Sequence, residues 1–215
     1  MSNPPAPTIA LSSLPEKTSR WFERATAALL DQVPCRQGCC RCCIGPFPVT
    51  ILDQHHLHEG LTRLPDAQRR ALQQKAWDQV TAIEARFPRL SASPILDDWP
   101  DQLAEQLAEQ FKDMPCPALD PEGRCTVYAY RPLTCRSMGI PAEQDGRIEG
   151  ACDIQTAVPI IRLSQPLREE EDRLAGEEAD QLATLRLKFQ CQGEELLLPY
   201  AFLPNSAILP HQNSA

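Results

Sequence analysis

Apolar runs long enough to span a bilayer are missing from this sequence. The longest, around Ala157–Ile161 and Leu196–Leu203, fall far short of the roughly 20 residues a membrane helix needs. An excess of basic charge is missing as well: 21 Lys and Arg stand against 29 Asp and Glu, a formal net charge of −8. That balance excludes a basic footprint for wrapping nucleic acid and a basic amphipathic helix for anionic lipid. The amino-terminal stretch MSNPPAPTIALSSLPEK has neither a charged lead nor a long apolar segment, so it reads as no export signal. GxGxxG, P-loop, nucleophile-elbow and EF-hand spacings are all missing, which removes the usual nucleotide, acyl-transfer and calcium sites. The partners left are a metal ion and a protein, with no nucleic acid and no membrane.

What the sequence has in quantity is cysteine, ten in 215 residues. Without an export signal the expected location is cytoplasmic, a reducing compartment in which these residues stay thiols. Clustered thiols in that setting point to metal or redox chemistry rather than to disulfides. A chain of this length, 42% hydrophobic, suits one small domain.

The pattern predicts a mainly α fold around a loop-rich, metal-organised cysteine core. Residues 1–13, rich in Pro and Ser, are expected to be disordered. A single helical domain is expected over 14–193, with the cysteine-cluster region at 35–152 inside it and a tail at 194–215. A first helix starts near Leu14, with Thr18, Phe22, Ala25 and Leu29 on its face. Thr50 opens a second, and Asp53 completes a capping box. A third runs over about Pro65–Phe87 with Leu72, Ala76, Val80, Ile83 and Phe87 apolar. A fourth begins near Pro100, with Leu103, Leu107, Phe111 and Met114 as its stripe, and an acidic one spans Pro166–Gln190, closed by Gly193. The tail is expected to add one short strand and then fray.

Two cysteine groups carry the chemistry. The first is Cys35, Cys39, Cys40, Cys42 and Cys43; the second is Cys116, Cys125 and Cys135, followed by Cys152. Thiolates are soft ligands for zinc, copper(I) or iron–sulfur clusters, and about four must converge on one ion. Cys39 and Cys42 pinch one ion from a tight turn, whereas adjacent Cys42 and Cys43 are expected to point apart. The Asp120-Pro121-Glu122-Gly123 turn folds Cys116 towards Cys125. Pro132 at a first helical position places Cys135 in a first turn, where the helix dipole is expected to lower its pKa. Neither group alone makes a comfortable site, so the two are expected to meet at one centre. Arg36, Arg41, Arg124, Arg131 and Arg136 all sit beside cysteines, either neutralising the thiolates or simply solvated.

With Cys39-x-x-Cys42-Cys43 and CPALDPEGRCTVYAYRPLTCR in that order, residues 35–152 resemble the YkgJ-like cysteine-cluster family, also called CxxCxxCC. The chain departs from the family spacing in the three residues between Cys35 and Cys39 and in the extra Cys40. The resemblance implies a zinc- or iron-chelating domain whose ligands are Cys35, Cys39, Cys42, Cys43, Cys116, Cys125, Cys135 and Cys152. All eight would serve a two-zinc site, while one iron–sulfur cluster would need four. Related clusters occur in flagellin lysine N-methylases, so a metal-dependent protein-modifying enzyme is one alternative and a thiol redox sensor another. Outside the motifs, Cys191 reads as a lone buried thiol, and His55, His56 and His58 as a polar helix face with a lesser claim to ligation. Tyr128 and Tyr130 are expected to pack over the metal loops.

Overall fold

The computed structural model describes residues 13–29, 39–140, 142–144, 147–149 and 163–204. The predicted ligands Cys35 and Cys152, Arg36, the stretch 1–12 and the last residues, 205–215, lie outside them. Among the described residues the protein is mainly helical, with two small two-stranded sheets.

Helix α1 (Leu14–Leu29) buries Leu14, Thr18, Trp21, Ala25 and Leu29. Trp21 takes the place expected of Phe22, because its indole Nε1–H finds an acceptor in Leu167 O at 2.9 Å. Lys17 and Arg24, on either side of Trp21 along the same face, pair with the helix that carries Leu167 too: Lys17 with Glu177 at 2.7 Å, and Arg24 with Glu170. Strand β1 (Pro48–Thr50) leads directly into α2 (Ile51–Leu61). Thr50 Oγ1 accepts from Asp53 N at 3.1 Å and Asp53 Oδ2 accepts from Thr50 N at 3.3 Å, the reciprocal cap anticipated from the sequence. Helix α2 is central, burying Ile51, Leu52, Asp53, Gln54, Leu57, Gly60 and Leu61.

Helix α3 (Asp66–Arg86) buries Leu72, Ala76, Val80 and Ile83 in the periodic row expected. Phe87, at its end, meets Trp99 and Phe111 with ring centroids 5.9 and 6.3 Å away. After the short α4 (Arg89–Ala92), α5 (Asp101–Gln110) buries only Leu107 and stops before Phe111. Phe111 and Met114, expected on its stripe, reach the core from the following turn instead. Cys116 and Cys125 precede α6 (Leu133–Ser137), which carries Cys135, and a β2–β3 hairpin follows, Ala142–Gln144 with Arg147–Glu149.

Helix α7 (Gln165–Phe189) ends where Gln190 adopts a left-handed conformation, φ 54°. Gly193, expected to close this helix, serves a different contact: a Cβ there would lie 2.4 Å from Ile95 Cγ2. Asp97 accepts from Glu194 N at 2.8 Å and Glu195 N at 3.0 Å beside it. Strand β4 (Glu195–Leu197) then pairs antiparallel with β1, Val49 opposite Leu196, and runs into α8 (Leu198–Ala201). The expected strand therefore forms, but residues 196–203 do not fray from it. Leu196, Leu198, Tyr200, Ala201 and Phe202 are buried in the same core as α2 and α3, because an apolar run so dense leaves water wherever a partner surface exists.

Candidate metal centre

Cys39 and Cys40 enter a 3-10 turn, Arg41–Cys43, closed by Cys43 N donating to Cys40 O at 2.9 Å. The chain leaves it through Gly45, whose φ of 90° is open to glycine and strained for other residues. Here the first motif meets the second. Gly45 N donates to Met114 O and Cys116 N to Cys43 O, both at 2.7 Å, around an antiparallel bridge between Ile44 and Pro115. Two short stretches of loop thus satisfy each other's backbone groups.

The second motif folds on its own turn. Gly123 N donates to Asp120 O at 3.0 Å, and Asp120 Oδ1 accepts from Glu122 N and Arg124 N. The arms close with Thr126 N to Ala118 O at 2.9 Å and a bridge between Leu119 and Cys125. Pro132 then caps α6 rather than opening it, and Cys135 is the third residue of that helix. Its first free N–H, that of Leu133, is taken by Asp53 Oδ1 at 2.5 Å. One aspartate therefore joins the start of the helix after motif one to the start of the helix in motif two.

Five thiols influence one another electrostatically. Burial pushes the Cys135 thiol well above its usual pKa, with Cys116, Asp53, Cys125 and Cys42 adding to the effect. Burial also raises Cys116 to about 12, helped by Cys125 and Cys42. Cys125 is raised by burial against the opposing pull of Val127 N–H and Arg131. Cys42 and Cys43 share a hydrogen bond: the Cys43 thiol keeps its proton and favours the thiolate on Cys42. Two expectations are corrected here. Adjacent Cys42 and Cys43 interact through a shared side-chain hydrogen bond instead of diverging, because the proton kept by Cys43 stabilises the thiolate of Cys42. Cys135 is raised, not lowered, because burial outweighs a helix dipole only five residues long.

Cys39 and Cys40 are half-buried at the entrance to the turn. Among the described residues, no three His, Cys, Asp or Glu side chains stand ready-made around one ion. The thiols are close enough to feel one another without forming a finished cage. Thiols of this kind give up their protons when a soft cation binds.

The remaining candidates fall elsewhere. His55 faces Glu59 at 3.7 Å. His56 and His58 are half-buried, with pKa values lowered by burial, and His58 reaches the backbone of Ala201 and Leu203. They are core-facing groups of α2 rather than a solvated polar face. Cys191 packs against the main core after α7. Tyr128 is 64% exposed, whereas Tyr130 seats on Gly60 of α2, where a Cβ would come within 2.2 Å of its ring. Arg124 is held by Asp120 and Glu122. Arg136 is buried and grips Arg131 O at 3.0 Å, Ser19 Oγ at 2.7 Å and Ala129 O at 2.8 Å. Sequence reasoning gave Asp53 its capping role alone; nothing local could show that its second oxygen crosses to Leu133.

A search of curated proteins and one of solved structures returned no match. Residues 34–153 match the model of CxxCxxCC, described as a putative zinc- or iron-chelating domain. The matched stretch covers more than half of the sequence and contains both cysteine motifs. The chain belongs to the CxxCxxCC family.

Proposed function

We propose that this protein chelates zinc or iron with thiolates drawn from both motifs. Cys42 and Cys43 supply one side and Cys116, Cys125 and Cys135 the other, with Cys39 at the rim and Cys35 and Cys152 extending the set. The observation that carries this reading is the 2.7 Å bond from Cys116 N to Cys43 O. It joins two motifs that lie more than 70 residues apart in sequence and leaves their thiols as electrostatic neighbours. The chemistry of the donors also fits: soft sulfurs on half-buried loops and a short helix suit zinc or an iron–sulfur centre. When bound, the ion would supply the cross-link between motifs. The protein's own part is to gather the thiols, hold them close and shield them from water.

The test is anaerobic purification, with metal analysis and a visible spectrum on one sample. Zinc without colour, or iron with sulfide and a brown colour, is the expected result. Cys42→Ser, Cys116→Ser, Cys125→Ser and Cys135→Ser should each lower the metal bound, whereas Cys191→Ser should leave it unchanged. A protein that holds neither metal, and takes up neither when offered it under reducing conditions, overturns the reading.

A further inference from the structure

Among the arginines of the second motif, Arg131 is the one that the local framework leaves uncommitted. Its guanidinium lies over the Tyr128 ring, 3.9 Å from the centroid. Its Nε is buried and has no hydrogen-bond partner. Leaving a buried donor unpaired is costly, which makes such an atom a pointer to an acceptor. Its charge acts on the neighbouring Arg136 and on two sulfurs, Cys42 from one motif and Cys125 from the other. Its neighbours are differently employed: Arg124 is tied to Asp120 and Glu122. Arg136 spends Nε, Nη1 and Nη2 on Arg131 O, Ser19 Oγ and Ala129 O. In doing so Arg136 fixes the carbonyls on both sides of Tyr130, and with them the backbone from which Arg131 projects.

We propose that Arg131 is a positioning residue of the metal centre, donating its Nε–H to a thiolate of the loaded site, with Tyr128 seating its guanidinium. The inference rests on the chelation reading above. Four thiolates around a divalent ion leave a net charge of −2, in a chain that is already at −8. A planar guanidinium answers that excess with a directed donor, which a lysine ammonium does not reproduce. Partners of this kind orient metal ligands and tune their basicity.

The experiment uses the full chain, stripped of metal under reducing conditions and reloaded with zinc or with cobalt(II). Zinc affinity is read by competition with a chromophoric chelator, and the cobalt form by its thiolate-to-metal charge-transfer band. Arg131→Met is expected to weaken zinc binding by about 10–100-fold. Its charge-transfer band should move to longer wavelength, since a sulfur that loses a hydrogen bond gives up electron density more readily. Arg131→Lys should recover affinity part of the way. Tyr128→Leu changes an exposed ring, leaves the fold intact and should weaken binding about threefold, the scale of an exposed cation–π contact. If Arg131→Met does not fold, the lysine and Tyr128 variants carry the same test. An unchanged affinity and an unchanged band in a protein that does bind zinc overturn the role of Arg131. A wild type that binds neither zinc nor iron overturns the chelation reading itself.

Discussion

Asp53 is fully buried, yet both of its oxygens accept backbone N–H groups, one from Thr50 and one from Leu133. Replacing it with Ala removes a cap, worth about 1 kcal/mol, and leaves a buried N–H unpaired, at about 1–3 kcal/mol. Asp53→Ala should therefore lose about 2–4 kcal/mol in urea unfolding, and it should lower metal occupancy because α6 carries Cys135. Burial lifts the Asp53 carboxyl to about 6, and that of Glu178 to about 7 with the Asp53 charge adding. Both groups hold their protons more tightly in the folded state than in the unfolded one. The stability they permit is full below about pH 4 and is lost as pH rises through 6 and then 7. Glu178→Gln removes the upper part of that loss. At pH 8 it should unfold at higher urea than wild type, and at pH 4 the two should coincide; equal midpoints at pH 8 would show that Glu178 is not desolvated as described.

At the level of elements, the closest fit is α2 against the turn that carries Tyr128–Tyr130. Alanine in a helix interior is ordinarily more favourable than glycine by about 1 kcal/mol. Gly60→Ala should show the opposite sign, a loss of about 1–3 kcal/mol from overpacking, because its Cβ would overlap the Tyr130 ring. A lower melting temperature and faster zinc release in the same variant would follow from the ring's displacement. Elements whose signals are local were legible beforehand: the Thr50–Asp53 box lies within four residues, and the α3 row repeats every turn. The signals that misled were those decided from a distance. Gly193 suggested a helix stop, but Gln190 takes the left-handed position and Gly193 is claimed by Ile95 and Asp97. Cys135 does lie near a helix start, yet the burial that sets its thiol comes from segments that no local window contains.

For the molecule as a whole, the two cysteine motifs were legible as a spacing pattern, while their meeting depends on Asp53, Arg136 and the Ile44–Pro115 bridge, contacts made across long stretches of chain. Two regions should respond differently to metal. Chelation under reducing conditions should strip hydrogen-exchange protection from the amides of Cys116, Gly45 and Thr126, which hold the motifs together. The amides of α2 and α3 should remain protected, since Leu57, Leu72, Ala76 and Ile83 are buried in the main apolar core, which does not depend on the ion for its burial. Uniform loss of protection would mean that the ion supports the entire fold. Truncation after Gly193 should have the reverse effect, abolishing cooperative melting even with zinc present, because Leu196, Leu198, Tyr200 and Phe202 leave the core with it. The pairing of β1 with β4 also sets a timetable for synthesis. β1 emerges from the ribosome roughly 150 residues ahead of its partner, an interval of about 7–30 s at about 5–20 residues per second. The first cysteine motif is made just before that interval and the second within it, so their thiols meet the surrounding metals and oxidants before the core beside them can close.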